Sequence, residues 1–270
     1  MFVAGIVAFR QPTAIMKHML RRIPGIVTAA FAGAIFVCTA AAQTPCATTS
    51  LGTANATAVR DGRTLMLDDG RELRLAAIEV TDDSRGALRA IAVGRPLRLE
   101  RLGPEQDRYG RLVAFAFAGA AEQSVQAALL AEGKARVSSR IGDKICAESL
   151  LTTERAARAA GRGLWAEPNF APLQAENLAR LQAERGKFAL VEGKVLSVRE
   201  SGATIYVNFG RRWTRDFTVI VFKRQQRAFA AAGVEPKRLE GRRIRVRGFI
   251  EQRGGPIIAA ESPEQIEFIE

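Results

Sequence analysis

Histidine is nearly absent: the only one, His18, lies in a segment expected to be removed before the protein matures. A form lacking residues 1–42 therefore has no histidine at all, which excludes Ser/His/Asp and Cys/His catalysis and every histidine metal site. Acids are outnumbered, 28 Asp and Glu against 40 Lys and Arg, and the net charge of +12 favours polyanionic partners such as nucleic acid, anionic lipid or acidic polysaccharide. At 270 residues and 47% hydrophobic content the chain is long enough for one large domain or two small ones, and its composition is neither disordered nor fibrous.

Long apolar runs are also scarce, and the one present explains the qualification on His18. From Met16 the sequence MKHMLRRIPGIVTAAFAGAIFVCTAAAQTP has a basic start, an apolar run from Ile23 to Thr39 and a small-residue exit at Ala40-Ala41-Ala42 before Gln43. This predicts an export signal over residues 1–42, complete from Met16, and a periplasmic or secreted protein. A retained membrane anchor would need about 20 apolar residues. Pro24, Gly25, Gly33 and the small-residue exit count against one, so no stable anchor is expected after cleavage. Ile35-Phe36-Val37 before Cys38 lacks the small residues of a lipidation site. Two cysteines then remain, Cys46 and Cys146, in an oxidising compartment. A disulfide between them would close a loop of about 100 residues, where a cross-link contributes roughly 4–5 kcal/mol by loop entropy; the alternative is two unrelated buried thiols.

The pattern predicts a mainly β chain with helices, in two blocks: 43–168, a linker at 169–185, and 186–270. In the first, strands are expected at Thr64–Leu67, Glu72–Glu79, Pro96–Arg101 and Leu112–Ala118, and helices at Ser84–Ala92, Val125–Glu132 and Leu150–Ala160. In the second, FALVEGKVLSV, ATIYVNFG, DFTVIVF, RRIRVRGFIEQ and IIAAES read as five strands, with a helix at Gln225–Ala232. That arrangement suits a small barrel of the oligonucleotide/oligosaccharide-binding (OB) type.

Three segments in order, DGRTLMLDDGRELRLAAIEV, DRYGRLVAFAF and the pair SVQAALLAEGKARV and ERAARAAGRGLW, resemble the staphylococcal-nuclease family over roughly residues 54–168. The resemblance implies a five-stranded OB-type barrel capped by helices, and calcium-dependent hydrolysis of DNA or RNA phosphodiester bonds. Attack of water on a phosphodiester builds negative charge that forked arginines can stabilise, while a carboxylate orients the water. The family's two phosphate-binding arginines fall on Arg74 and Arg111, and its general-base glutamate on Asp82 or, with a slip, Asp83. Its calcium aspartates fall on Arg63 and Glu79, and the residue lending the metal a backbone oxygen on Val80.

Arg63 is the departure from the pattern. Calcium takes about 6–8 oxygens and usually several formal negative charges. At about 4 Å and an effective dielectric near 20, two unit charges interact by about 4 kcal/mol, and a divalent ion doubles the repulsion. The resemblance thus implies either a weakened Ca2+ site at Glu79 and Val80 or a pair between Arg63 and Glu79 that replaces the metal and leaves a nucleic-acid or polyanion-binding module. Arg74 and Arg111 can also be read as surface arginines paired with Glu72 or Asp107, and Tyr109 as a stacking or a packing residue. Trp165 reads as a helix-end anchor. In the second block, Arg211, Arg212 and Trp213, with Tyr206 and Phe209 nearby, form a basic aromatic stretch suited to single strands. The alternation of Arg243, Arg245 and Arg247 reads as the solvent face of a strand.

Overall fold

The structure is a computed structural model that describes residues 46–212 and 214–269; the expected export signal, His18, Cys38 and Trp213 lie outside the described residues. The described residues form one compact unit. It contains two hydrophobic cores, one built from residues between Ala54 and Leu151 and the other from residues between Leu173 and Ile266.

The first core fills a closed barrel of β1 (Thr49–Asp61), β2 (Thr64–Leu67), β3 (Glu72–Leu75), β5 (Pro96–Arg101) and β6 (Leu112–Ala118), ordered β1-β2-β3-β6-β5, while the short β4 (Ile78–Val80) stands outside it. Alternation puts Leu65, Leu73, Leu75, Leu97 and Leu99 inside, none more than 1% exposed. The 13-residue β1 has register shifts after Ser50, Ala56 and Val59, which bend it enough to pair β5 at one end and β2 at the other and so close the barrel. Helix α1 (Ser84–Ala92) follows β4, and α2 (Val125–Ala131), β7 (Ala135–Val137) and α3 (Lys144–Ala159) follow the barrel. The Cys46–Cys146 disulfide forms, tying the residues before β1 to the first turn of α3 across 100 residues of sequence.

The expected strand Glu72–Glu79 is two strands. Ala77, the one non-glycine residue with positive φ (63°) among those described, turns the chain after β3, and β4 leaves the barrel to pair with β7. Helix α3 starts at Lys144, ahead of the expected Leu150, because the Asp143 carboxylate caps the Ile145 and Cys146 N–H groups.

The second core lies between two sheets. One is β10 (Ser197–Ser201), β11 (Thr204–Asn208), β12 (Thr218–Phe222), β14 (Glu251–Arg253) and β15 (Gly255–Ala259), in the order β10-β11-β12-β15-β14. The other is β8 (Leu173–Gln174), β9 (Phe188–Lys194), β13 (Arg243–Phe249) and β16 (Ile266–Phe268), in the order β16-β13-β9-β8. Helices α4 (Leu178–Ala183) and α5 (Gln226–Ala231) complete it. β9 runs into β10 and β13 into β14 after short breaks; with each taken as one bent strand, the pairing order repeats that of the first barrel, including its single parallel pair, β3·β6 there and β12·β15 here.

A buried charge cluster joins the two cores. The Arg247 side chain, fully buried on β13, donates to both carboxylate oxygens of Glu154 on α3 at 2.9 Å, to Glu267 at 2.6 Å and to the Val137 carbonyl at 3.0 Å. Arg245 pairs with Glu192 (2.5 Å) and Arg158 with Glu154 (2.9 Å). The expected solvent face of Arg243, Arg245 and Arg247 is therefore an internal seam over most of its length, because α3 lies over it. Among the described residues no helix is long and apolar enough to cross a membrane.

Candidate functional site

The turn Asp61-Gly62-Arg63-Thr64 is the tightest element of the site. The Asp61 carboxylate accepts the Arg63 N–H at 2.8 Å, an arrangement short acidic side chains favour in turns. Gly62 packs directly on β4: a Cβ there would lie 2.7 Å from the Thr81 carbonyl and 2.9 Å from a Val80 methyl. This close approach delivers Arg63 to β4. Its guanidinium forms a 2.8 Å ion pair with Glu79 and donates to the Ile78 carbonyl at 2.7 Å.

Arg63 thus occupies two oxygens, a carboxylate and a backbone carbonyl, of the kind a cation would use. Asp61 is engaged with its own turn, and Asp82 and Asp83 are exposed on the next turn. Among the described residues the only group of three metal-type side chains that converges is Cys46, Asp143 and Cys146; the two cysteines form the disulfide and Asp143 caps α3. This donor set does not fit calcium, which needs several free anionic oxygens around one point.

Arg74 stands on β3 directly opposite Thr64, and the Leu75 N–H donates to the Arg63 carbonyl at 2.8 Å, so the turn and Arg74 share one rung. Its neighbours Leu73 and Leu75 point into the core, so Arg74 points out. It is half-buried and makes no ion pair or side-chain hydrogen bond among the described residues. Burial pushes its pKa down, and the Arg63 and Arg111 guanidinium charges push it further, while Glu79 and Asp107 oppose them. The three arginines therefore sense one another and form a local positive field. Glu72 pairs with Arg60 instead.

Arg111 is held by Asp107. That carboxylate accepts the Arg111 Nε at 2.9 Å, lies 2.7 Å from a terminal nitrogen, and also accepts the Tyr109 and Arg111 N–H groups at 2.9 and 3.1 Å. Burial works against the Asp107 charge, but these bonds outweigh it and hold its pKa below 3.8. Tyr109 is 66% exposed, with the Arg108 guanidinium 4.7 Å and that of Arg111 5.2 Å from its ring centroid.

Arg63, Glu79, Arg74 and Arg111 are brought into one region, with Tyr109 beside Arg111. Val80 lies on β4, its register partner being Ala135. Arg211 and Arg212 lie on the β11–β12 loop, exposed and without an ion pair among the described residues, and Phe209 is a core residue at 4% exposure. The alternative reading of Arg111 as paired with Asp107 holds, whereas the pairing of Arg74 with Glu72 does not. Sequence reasoning missed that Asp107 also accepts the turn's backbone N–H groups, that Arg108 sits on Tyr109, and that the Ile78 carbonyl receives Arg63.

Residues 83–167 match the sequence model of a family described as staphylococcal nuclease homologue. Comparison with curated proteins finds no match. The matched segment holds α1, β5, β6, Arg111, α2, β7 and α3. Together with the closed five-stranded barrel, the match establishes that the chain contains a domain of the staphylococcal nuclease family.

Proposed function

We propose that this is an exported nuclease-family protein whose barrel binds the phosphodiester backbone of nucleic acids through Arg74 and Arg111, without calcium. The observation that carries this reading is Arg63, whose guanidinium bridges Glu79 and the Ile78 carbonyl and so takes up the oxygens a calcium ion would use. A phosphate seated by Arg74 meets a ready-made cationic field and has no metal to wait for. The net charge of +12 draws a polyanion to the surface.

Hydrolysis is the second reading, favoured by Asp82, an exposed carboxylate without an ion pair among the described residues. It would orient water toward a phosphate stabilised by Arg74 and Arg111.

The test incubates residues 43–270 with single- and double-stranded DNA and RNA, with calcium or with chelator, and measures both affinity and cleavage. Affinity is expected to survive chelation and to fall with salt; replacing Arg74 and Arg111 with alanine should weaken it by roughly tenfold or more, the loss of about 1.4 kcal/mol. Unchanged affinity in that double variant sinks the reading. Calcium-dependent cleavage by the wild type would sink the metal-free site. Chelator-resistant cleavage abolished by Asp82→Asn would establish the second reading. Export is checked by the mass of the mature protein, expected to begin at Gln43.

A further inference from the structure

The two pseudo-equivalent sheets place a second candidate surface on the same rung as the first. In the barrel, Asp61 pairs with Thr64 across the tight turn, Thr64 pairs with Arg74, and the Leu75 N–H reaches the Arg63 carbonyl at 2.8 Å. In the second module Ser201 pairs with Thr204, Thr204 pairs with Phe222, and the Lys223 N–H reaches the Ala203 carbonyl at 2.8 Å. Phe222 therefore stands where Arg74 stands in the barrel, and Ala203 where Arg63 stands. The anion site is absent from the copy, and an aromatic ring has its central position.

The surroundings of that ring are specific. Val207, Val219 and Val221 point into the core, so Tyr206 and Phe222 point outward by alternation, both half-buried and diagonal to each other across β11 and β12. Exposed Arg199 lies directly opposite Tyr206 on β10. The Arg224 guanidinium sits 4.8 Å from the centroid of the Phe222 ring. Neither arginine makes an ion pair among the described residues, and none of the outward positions of β10, β11 and β12 is acidic. Glu200, at the rim, is already held by Lys223 at 3.0 Å and Lys237 at 2.6 Å.

The geometry points to a surface for single-stranded nucleic acid on the outer face of β10, β11 and β12, with bases stacking on Tyr206 and Phe222 and the backbone following Arg199 and Arg224. Two adjacent rings flanked by unpaired guanidinium groups, on a face without carboxylates, suit unpaired bases: every base offers a π-face, whereas a duplex keeps its faces stacked inside. This surface is independent of Arg74 and Arg111, so its failure and that of the barrel site are separately visible.

The test measures binding of residues 43–270 to oligothymidylate, duplex DNA and heparin, a polyanion without bases. Replacing Tyr206 and Phe222 together with leucine should weaken oligothymidylate binding about tenfold or more, as loss of stacking requires, and leave heparin binding unchanged. Replacing Arg199 and Arg224 with alanine should weaken both ligands and lower the magnitude of the oligothymidylate salt slope by about 1.4, roughly 0.7 per lost phosphate contact. Unchanged oligothymidylate affinity in a leucine variant that melts like wild type overturns the proposal. If that variant fails to fold, the exposed pair Arg199→Glu and Arg224→Glu decides: unchanged affinity overturns the proposal, and a loss greater for oligothymidylate than for duplex supports it.

Discussion

Three arginines share one electrostatic region but differ in what already holds them. Arg63 is committed to Glu79 and to the Ile78 carbonyl, Arg111 to Asp107, and Arg74 to no acid among the described residues. Asp107 therefore competes with any phosphate for Arg111. Asp107→Asn keeps an oxygen for the Tyr109 and Arg111 N–H groups but removes the charge, so we expect affinity for nucleic acid to rise by about three- to tenfold, the net strength of one ordinary solvent-accessible hydrogen bond, about 0.7–1.4 kcal/mol. Fluorescence anisotropy with a labelled oligonucleotide measures this; a fall in affinity would show that Asp107 places Arg111 more than it restrains it. The folded pKa of Asp107 lies below 3.8, so the competition is intact at neutral pH and relaxes only as pH falls through that lower value.

Short backbone approaches hold the elements around the site, and glycine marks them. At Gly133, after α2, φ is +66° and a Cβ would lie 2.0 Å from the Arg162 carbonyl; at Gly163, φ is +52° and a Cβ would lie 2.5 Å from the Gly133 carbonyl. The Leu164 N–H donates to that same Gly133 carbonyl at 2.9 Å, so the segment after α3 is laid on the segment after α2 by two bare backbones in contact. Gly133→Ala is expected to cost about 2–5 kcal/mol, from left-handed strain plus overpacking. Gly142→Ala has a comparable φ of +93° but open space around it, and should cost only about 1–2 kcal/mol. Urea unfolding of the two variants checks the difference, and equal costs would refute it. Sequence pattern reached α1 with its observed bounds, since apolar spacing and flanking turns are local. It missed β1, whose start TSLGTAN has no clean alternation, and β7, whose three residues are too few to show a period. The break at Ala77 had no signal, because nothing local marks alanine for a positive φ.

Across the whole molecule the decisive contact is between Arg247 and Glu154, 93 residues apart and both without side-chain exposure. Burial opposes the Arg247 charge, but Glu154 and Glu267 outweigh it and raise its pKa. Arg247→Met should destabilise the protein by about 3–5 kcal/mol at neutral pH, since it removes the buried cation that bridges Glu154 and Glu267 and leaves them only their weaker or more peripheral arginine contacts. Burial likewise opposes the charge of Glu267, yet Arg247 lowers its folded pKa below 4.5. A depressed carboxylate gives stability that is present above the unfolded pKa and lost as pH falls through the folded one. The gap between wild type and Arg247→Met should therefore narrow below about pH 4.5. Urea unfolding at neutral and acid pH measures it, and a gap that widens in acid would contradict the assignment.

The sequence by itself determined the basic charge, the scarcity of histidine, the strand-rich plan and the presence of arginines at positions 63, 74 and 111. These depend on composition and on periods of a few residues, which the chain carries locally. Only the tertiary structure decided that Arg63 turns onto Glu79, that Arg111 is restrained while Arg74 is not, and that Arg245 and Arg247 form an internal seam. Alternation can say that a side chain leaves its sheet, but what it meets depends on an element far along the chain, here β4 for Arg63 and α3 for Arg247.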